Sequence, residues 1–196
     1  MKRRKFINST LAASASTAFL GALSTGSGSA ASPKHTFKLH YAPHFNMFKN
    51  LGGKDPIDQL KFAADQGFSA WEDNQMKKKP IDLQKKIAAT MEALKMKMGV
   101  FVAHGSIGRT TFVRKDIGVW ESVLQDIRDS IEVAKRVNAK WMTVVPGNVD
   151  ENGRDRLAMG YQRANVIELL RRCSDLLEPH GLVMVLEPLN WFANHG

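Results

Sequence analysis

From Phe37 onward, short unbroken apolar runs alternate with longer stretches in which apolar residues recur every three or four positions. The first pattern predicts strands and the second amphipathic helices. "FKLHYAPH" (37–44), "FSAWEDN" (68–74), "KMGVFVAHG" (97–105), "AKWMTVVPGN" (139–148) and "LVMVLEPLNW" (182–191) read as strands. Between them, residues 55–67, 81–96, 119–138 and 158–181 read as helices. In the third of these, Val119, Val123, Ile127, Ile131 and Ala134 mark the apolar stripe. In the first, Asp55 is placed to cap the amino end, Pro56 fits the first helical position, and Gly67 fits the carboxyl-terminal cap.

The runs "VFVA", "WMTVV" and "LVMVL" carry no polar alternation, as expected of parallel strands covered on both faces. Strand and helix in strict alternation give a parallel sheet with right-handed crossovers. Two architectures satisfy this, an open doubly wound sheet and a (β/α)8 barrel. A glycine-rich phosphate loop should follow the first strand of a nucleotide-binding doubly wound sheet, but "FNMFKNLGGKDP" follows it here. The pattern therefore favours an α/β protein of the (β/α)8 barrel class with about five βα units.

Polar residues cluster at one end of each strand. The first ends at His44, the second at Glu72, Asp73 and Asn74, and the third at His104. The fourth ends at Asn148 and the fifth at Glu187 and Asn190. In a barrel these ends share the rim where active sites are built. Glu187 stands out because a carboxylate directly follows an apolar run, and burying it is costly unless something pairs with it. His44, Glu72, His104 and Asn190 are candidate substrate contacts. His40 lies within a strand pattern and is expected to pack. Asn148, in "VVPGN", is expected in a turn. Met96, Met98, Met142 and Met184 are expected to fill the core, and Trp71, Trp141 and Trp191 to pack. The single cysteine, Cys173, falls in a helical pattern and is expected to be half-buried.

The chain has 196 residues and a formal net charge of +9. Leaving out Lys2, Arg3, Arg4 and Lys5 lowers this to +5, too weak to indicate nucleic acid by itself. Those four residues open a segment with the three regions of an export signal. A basic stretch holds the pair Arg3-Arg4, a mildly apolar stretch runs from Leu11 to Leu23, and small residues allow cleavage after Ala30 or Ala31. "RRKFI" resembles a twin-arginine signal, so residues 1–31 are expected to be a signal peptide and 32–196 a barrel domain. This implies export by the twin-arginine machinery to the periplasm or beyond, with no stable membrane anchor.

"YAPHFNMFKN", "KDPIDQLKFAADQGFSAWEDN", "MGVFV", "EVAKRVNAKWMTVVPGN", "QRANVIELLRR" and "EPHGLVMVLEPLN" together resemble hydroxypyruvate isomerase-like proteins. These belong to the xylose isomerase-like superfamily of sugar isomerases and epimerases. The resemblance implies a metal-dependent isomerase or epimerase of a small hydroxy-carbonyl compound. It implies a divalent ion at the rim, with Mg²⁺ or Mn²⁺ suited to hard oxygen ligands. Glu187 matches the family's fifth-strand glutamate, both metal ligand and proton-transfer group, and a second glutamate comes from strand eight. Two other readings compete with this one. An abasic-site endonuclease would need a multinuclear, histidine-rich metal site, and export would remove it from genomic DNA. An exported carbohydrate-binding barrel would keep the fold without the chemistry.

The sequence ends at Gly196, shortly after the fifth strand, and is expected to be either a fragment or a natural truncation. Five strands do not close an eight-stranded barrel, so this stretch alone is expected to be inactive and prone to associate. Replacing Arg3 and Arg4 by lysine should retain the protein in the cytoplasm, as read by fractionation. Unchanged export of that variant would contradict the twin-arginine assignment.

Overall fold

The computed structural model describes residue 35 and residues 37–151 and 155–187. Four helices carry the chain between strands: α1 (Pro56–Asp65), α2 (Ile81–Ala93), α3 (Ile117–Val137) and α4 (Met159–Leu177). The strands are β1 (Ala70–Trp71), β2 (Lys97–Met98), β3 (Val102–Gly105), β4 (Trp141–Val145) and β5 (Val183–Leu186). Among the described residues no helix is long and apolar enough to cross a membrane.

Every strand pair is parallel. β1 pairs with β2, with Trp71 opposite Met98; β3 pairs with β4 and β4 with β5. Between the two groups, Gly99 N donates to Trp71 O at 2.7 Å, Asp73 N to Val100 O at 3.2 Å and Thr143 N to Phe101 O at 2.8 Å. Residues 97–105 thus run as one extended segment, interrupted at Gly99–Phe101. Its first half binds β1 and its second half binds β4. That offset is the stagger by which tilted strands curl into a barrel. Spatial order follows chain order throughout, with no reversal of the kind that makes a doubly wound sheet. The described part is a segment of a (β/α)8 barrel, as the alternation and the missing phosphate loop imply.

The helices follow the sequence closely. Asp55 caps α1 by accepting from Ile57 N at 2.7 Å, and Pro56 occupies the first turn. Gln66 ends the helix and Gly67 follows at φ +95°. A β-carbon at Gly67 would lie 1.9 Å from the His35 carbonyl oxygen, so only glycine fits. Asp116 caps α3, whose Val123, Ile127, Ile131 and Ala134 are buried as the stripe requires. The core joins these to Leu60, Trp71, Met91, Phe101, Phe112, Met142 and Leu169. Met96, Met98 and Met142 are buried there as filler, and Met184 packs against them.

Five local readings are corrected. Residues 37–44 do not form a regular strand: only His44 bridges to Glu72, with Glu72 N bonded to Pro43 O at 3.0 Å. Pro43 lacks an N–H to continue a ladder, and Phe37, Leu39 and Tyr41 remain exposed. β5 is not covered on both faces; Val183, Val185 and Leu186 are exposed because β5 is the edge strand of the described sheet. Trp141 is likewise exposed. His40 is exposed too, with Nδ1 bonded to Ser69 Oγ at 2.6 Å. Cys173 is fully buried on α4, and burial pushes its thiol up to about 11.

The turn after β1 is fixed from below. The buried Gln84 of α2 donates Nε2 to the carbonyls of Met76 and Lys79, and its Oε1 accepts from Arg136 of α3. Gln84→Ala leaves three polar groups without their partner and should cost about 1–3 kcal/mol in urea unfolding. Gln125→Ala, on the exposed face of α3, should stay within roughly 0.5 kcal/mol of the parent. Equal small effects for both would contradict the anchoring role of Gln84.

Candidate functional site

The carboxyl-terminal ends of the strands place three of the sequence candidates within electrostatic reach of one another. His44 bridges to Glu72 across the first parallel contact. The His44 ring bonds through Nδ1 to its neighbour's carbonyl, Phe45 O, at 2.9 Å. A carbonyl only accepts, so Nδ1 carries the hydrogen and Nε2 is left free of this bond. Glu72 extends the rim from β1. Burial pushes its carboxyl above the ordinary 4.5; the charge of His44 works against that rise, and the charge of Glu187 adds to it. Glu187 comes from the far side of the described sheet, where its N–H bonds Val144 O at 3.1 Å and continues the β4–β5 ladder.

Among the described residues neither carboxylate, Glu72 or Glu187, has a hydrogen bond or ion pair that would neutralise it. Glu187 is exposed here, so the burial cost anticipated for it is not incurred within the described residues. The arrangement brings an imidazole and two like-charged carboxylates to one face. Such a set can move a proton, accept hydrogen bonds from hydroxyl groups, or donate to a cation.

His104 is placed differently. Its Nδ1 bonds Asp126 Oδ2 and its Nε2 bonds Ser106 Oγ, both at 2.8 Å. Asp126 lies on α3, so the ring is directed toward the helix layer and both nitrogens are engaged. Lys77 completes the network, donating to Asp126 Oδ1 at 2.6 Å and to Ala103 O at 3.1 Å. Burial opposes ionisation of Asp126, but the bonds and charges of Lys77 and His104 outweigh it and hold that carboxyl below the usual range. Asn190 and the export segment lie outside the described residues. Asn148 lies in the irregular segment after β4 and not in a regular turn, its N–H bonded to Arg109 O at 2.8 Å.

Sequence reading missed Ser106 and Asp126 as partners of His104, and Lys77 as the partner of Asp126. "AHGS" places Ser106 two residues after His104, the only local signal available. Asp126 and Lys77 come from separate elements and carry none. Asp73, at the end of β1, accepts from Gln75 N at 3.0 Å and pairs with Lys79 at 2.8 Å, holding the loop beside Glu72.

No three His, Cys, Asp or Glu side chains come together among the described residues in a way that could hold a metal ion. Glu187 offers one hard oxygen donor, which suits a divalent ion such as Mg²⁺ or Mn²⁺ but is not a binding site by itself.

Comparison with solved structures places the fold. An AP endonuclease, family 2, from Brucella melitensis superposes with a TM-score of 0.57 at 20% identity, over 79% of this chain and 57% of that one. A 3-keto-D-glucoside 4-epimerase from E. coli gives 0.57 at 16% identity, over 78% and 57%. The IolI protein with a bound zinc atom gives 0.56 at 18% identity, over 74% and 51%. At these identities the likeness shows the fold. The chain spans about half the length of the structures it matches. No curated protein sequence matches it. The family profile of the xylose isomerase-like TIM barrel matches residues 60–196, well over half of the sequence. The parallel strands in chain order, the rim of polar residues and that match lead to one conclusion: this chain belongs to the xylose isomerase-like TIM barrel family.

Proposed function

We propose that the chain contributes to a metal-dependent isomerase or epimerase of a small hydroxy-carbonyl compound, hydroxypyruvate isomerase-like in chemistry, that works after export from the cytoplasm. The observation that carries this reading is that Glu72 lies in the field of Glu187, from strands far apart in sequence, with His44 bridged to Glu72. The solved neighbours lend support, since a 3-keto-D-glucoside 4-epimerase acts at a carbon beside a carbonyl.

Isomerisation of a hydroxy-carbonyl compound needs a base for the proton on the carbon next to the carbonyl. It also needs an acid to return that proton to the neighbouring carbon. Glu187, exposed and unpaired among the described residues, is the base. Glu72, whose carboxyl burial holds above the ordinary value, hydrogen-bonds a substrate hydroxyl. His44 hydrogen-bonds a second hydroxyl through Nε2. A divalent ion, when bound, would draw electron density from the carbonyl, and Glu187 would be one of its ligands. The export segment is part of this proposal and rests on the Arg3-Arg4 pair followed by the apolar stretch Leu11 to Leu23 and the small residues around Ala30 and Ala31.

The test uses a protein carrying this segment within a closed barrel. Exchange of the substrate α-proton with deuterated solvent is followed for hydroxypyruvate and for ketohexoses in the presence of Mn²⁺. Glu187→Gln should slow exchange by roughly 10²–10⁴-fold and weaken Mn²⁺ binding while leaving thermal unfolding in chelator unchanged. A lower melting temperature with exchange intact would make Glu187 a structural carboxylate.

A further inference from the structure

The described strands form two groups, with Glu72 directly after β1 in one and Glu187 directly after β5 in the other. The seam between them lies at Gly99–Phe101. The backbone bond that crosses it nearest the strand ends is Asp73 N on Val100 O, at 3.2 Å. Just beyond, the register of β3 against β4 shifts. Val102 lies opposite Thr143 and His104 opposite Val144, so Ala103 is the extra residue of a bulge. The ladder is thus irregular between the two carboxylates.

Lys77 spans both irregularities. It lies in the 3-10 turn Met76–Lys78, which is held to Glu72 as a unit. Met76 N bonds Asp73 O, Asp73 accepts from Gln75 N, and Gln84 binds the carbonyls of Met76 and Lys79. The Lys77 ammonium donates to Ala103 O at 3.1 Å, to Asp126 O at 3.0 Å and to Asp126 Oδ1 at 2.6 Å, so all three of its N–H groups are engaged. The first acceptor is the bulged residue itself. The others lie on α3, whose Asp126 also holds His104. From His104 the contacts continue through Ser106 to Val145 O of β4, whose Val144 O receives Glu187 N. A mostly buried lysine is ordinarily a structural cross-link. This one joins the turn behind Glu72 to the strand group that ends in Glu187, where the ladder between them is broken.

From this geometry we infer that Lys77 is a positioning residue for the carboxylate pair: it latches the Glu72 turn to the β3 bulge and to α3, and so sets Glu72 against Glu187. The inference rests on the convergence of Glu72 and Glu187 that also carries the isomerase reading, and it assigns Lys77 no contact with substrate. Lys77→Met keeps the stem and removes the donors. The latch then opens, the Glu72 turn moves relative to β3, and each carboxylate leaves the field of the other.

Carbon NMR of the Glu72 carboxyl and amide hydrogen exchange, both on the full metal-free chain, test this. In the parent, Glu187→Gln should lower the Glu72 midpoint. In Lys77→Met the same replacement should leave it unmoved. The Asp73 amide should exchange at least about tenfold faster in Lys77→Met, as expected when hydrogen bonds from a charged group are lost. Lys77→Arg, which keeps the charge and donors, should restore part of both effects. Leu169→Ala, which opens a cavity at a buried position of α4, should lower thermal stability and change neither. If Lys77→Met does not fold, Asp126→Asn takes its place, since the amide keeps the shape and weakens the bond to Lys77. A Glu72 midpoint that responds to Glu187→Gln as fully in Lys77→Met as in the parent, with Asp73 exchange unchanged, overturns the latch and leaves the isomerase reading standing. No response in the parent overturns the convergence, and with it both the latch and that reading.

Discussion

Parallel pairing in strict chain order is the constraint on which the rest depends. It points every carboxyl-terminal strand end to one face, so residues without a local relationship become neighbours in the field of the site. Glu72 and Glu187 are separated by most of the folded chain, yet the charge of one opposes ionisation of the other. No helix dipole or short motif creates that coupling. It comes from the ladder β1–(β2, β3)–β4–β5, whose stagger carries the sheet around. A one-residue slip in any strand would turn its rim residues to the opposite face and dissolve the group.

The rim is polar but selectively neutralised. Asp126 pairs with Lys77 and His104, Asp73 with Lys79, and Asp150 with Arg114. These pairs fasten loops to helices and leave their charges compensated. Glu72 and Glu187 are the exceptions among the strand-end candidates, with no hydrogen bond or ion pair among the described residues. For half-buried Glu72, burial without a hydrogen bond opposes ionisation, whereas Glu187 is exposed and carries no such cost within the described residues.

Much of this was legible in the sequence. The three-and-four spacing gave α3 its buried face, and Asp55-Pro56 marked the start of α1. The absent phosphate loop separated the barrel from the doubly wound sheet. Glu187 was visible because a carboxylate ends an apolar run. Other features were not legible, for definite reasons. The segment around Tyr41 alternates like a strand, but pairing depends on a partner and fails before Pro43. His104 reads as a rim residue, but its direction is set by Asp126 on a helix whose rotation no local pattern specifies.

The most direct test of the account is the titration of the Glu72 side-chain carboxyl, followed by carbon NMR in metal-free protein, with Glu187 present and replaced by glutamine. Coupling across the rim predicts a midpoint above the ordinary 4.5 in the parent. It predicts a lower midpoint in Glu187→Gln that still stays above 4.5, because burial is the larger cause and is retained. A Glu72 midpoint that does not move when the Glu187 charge is removed would contradict the convergence of the two carboxylates.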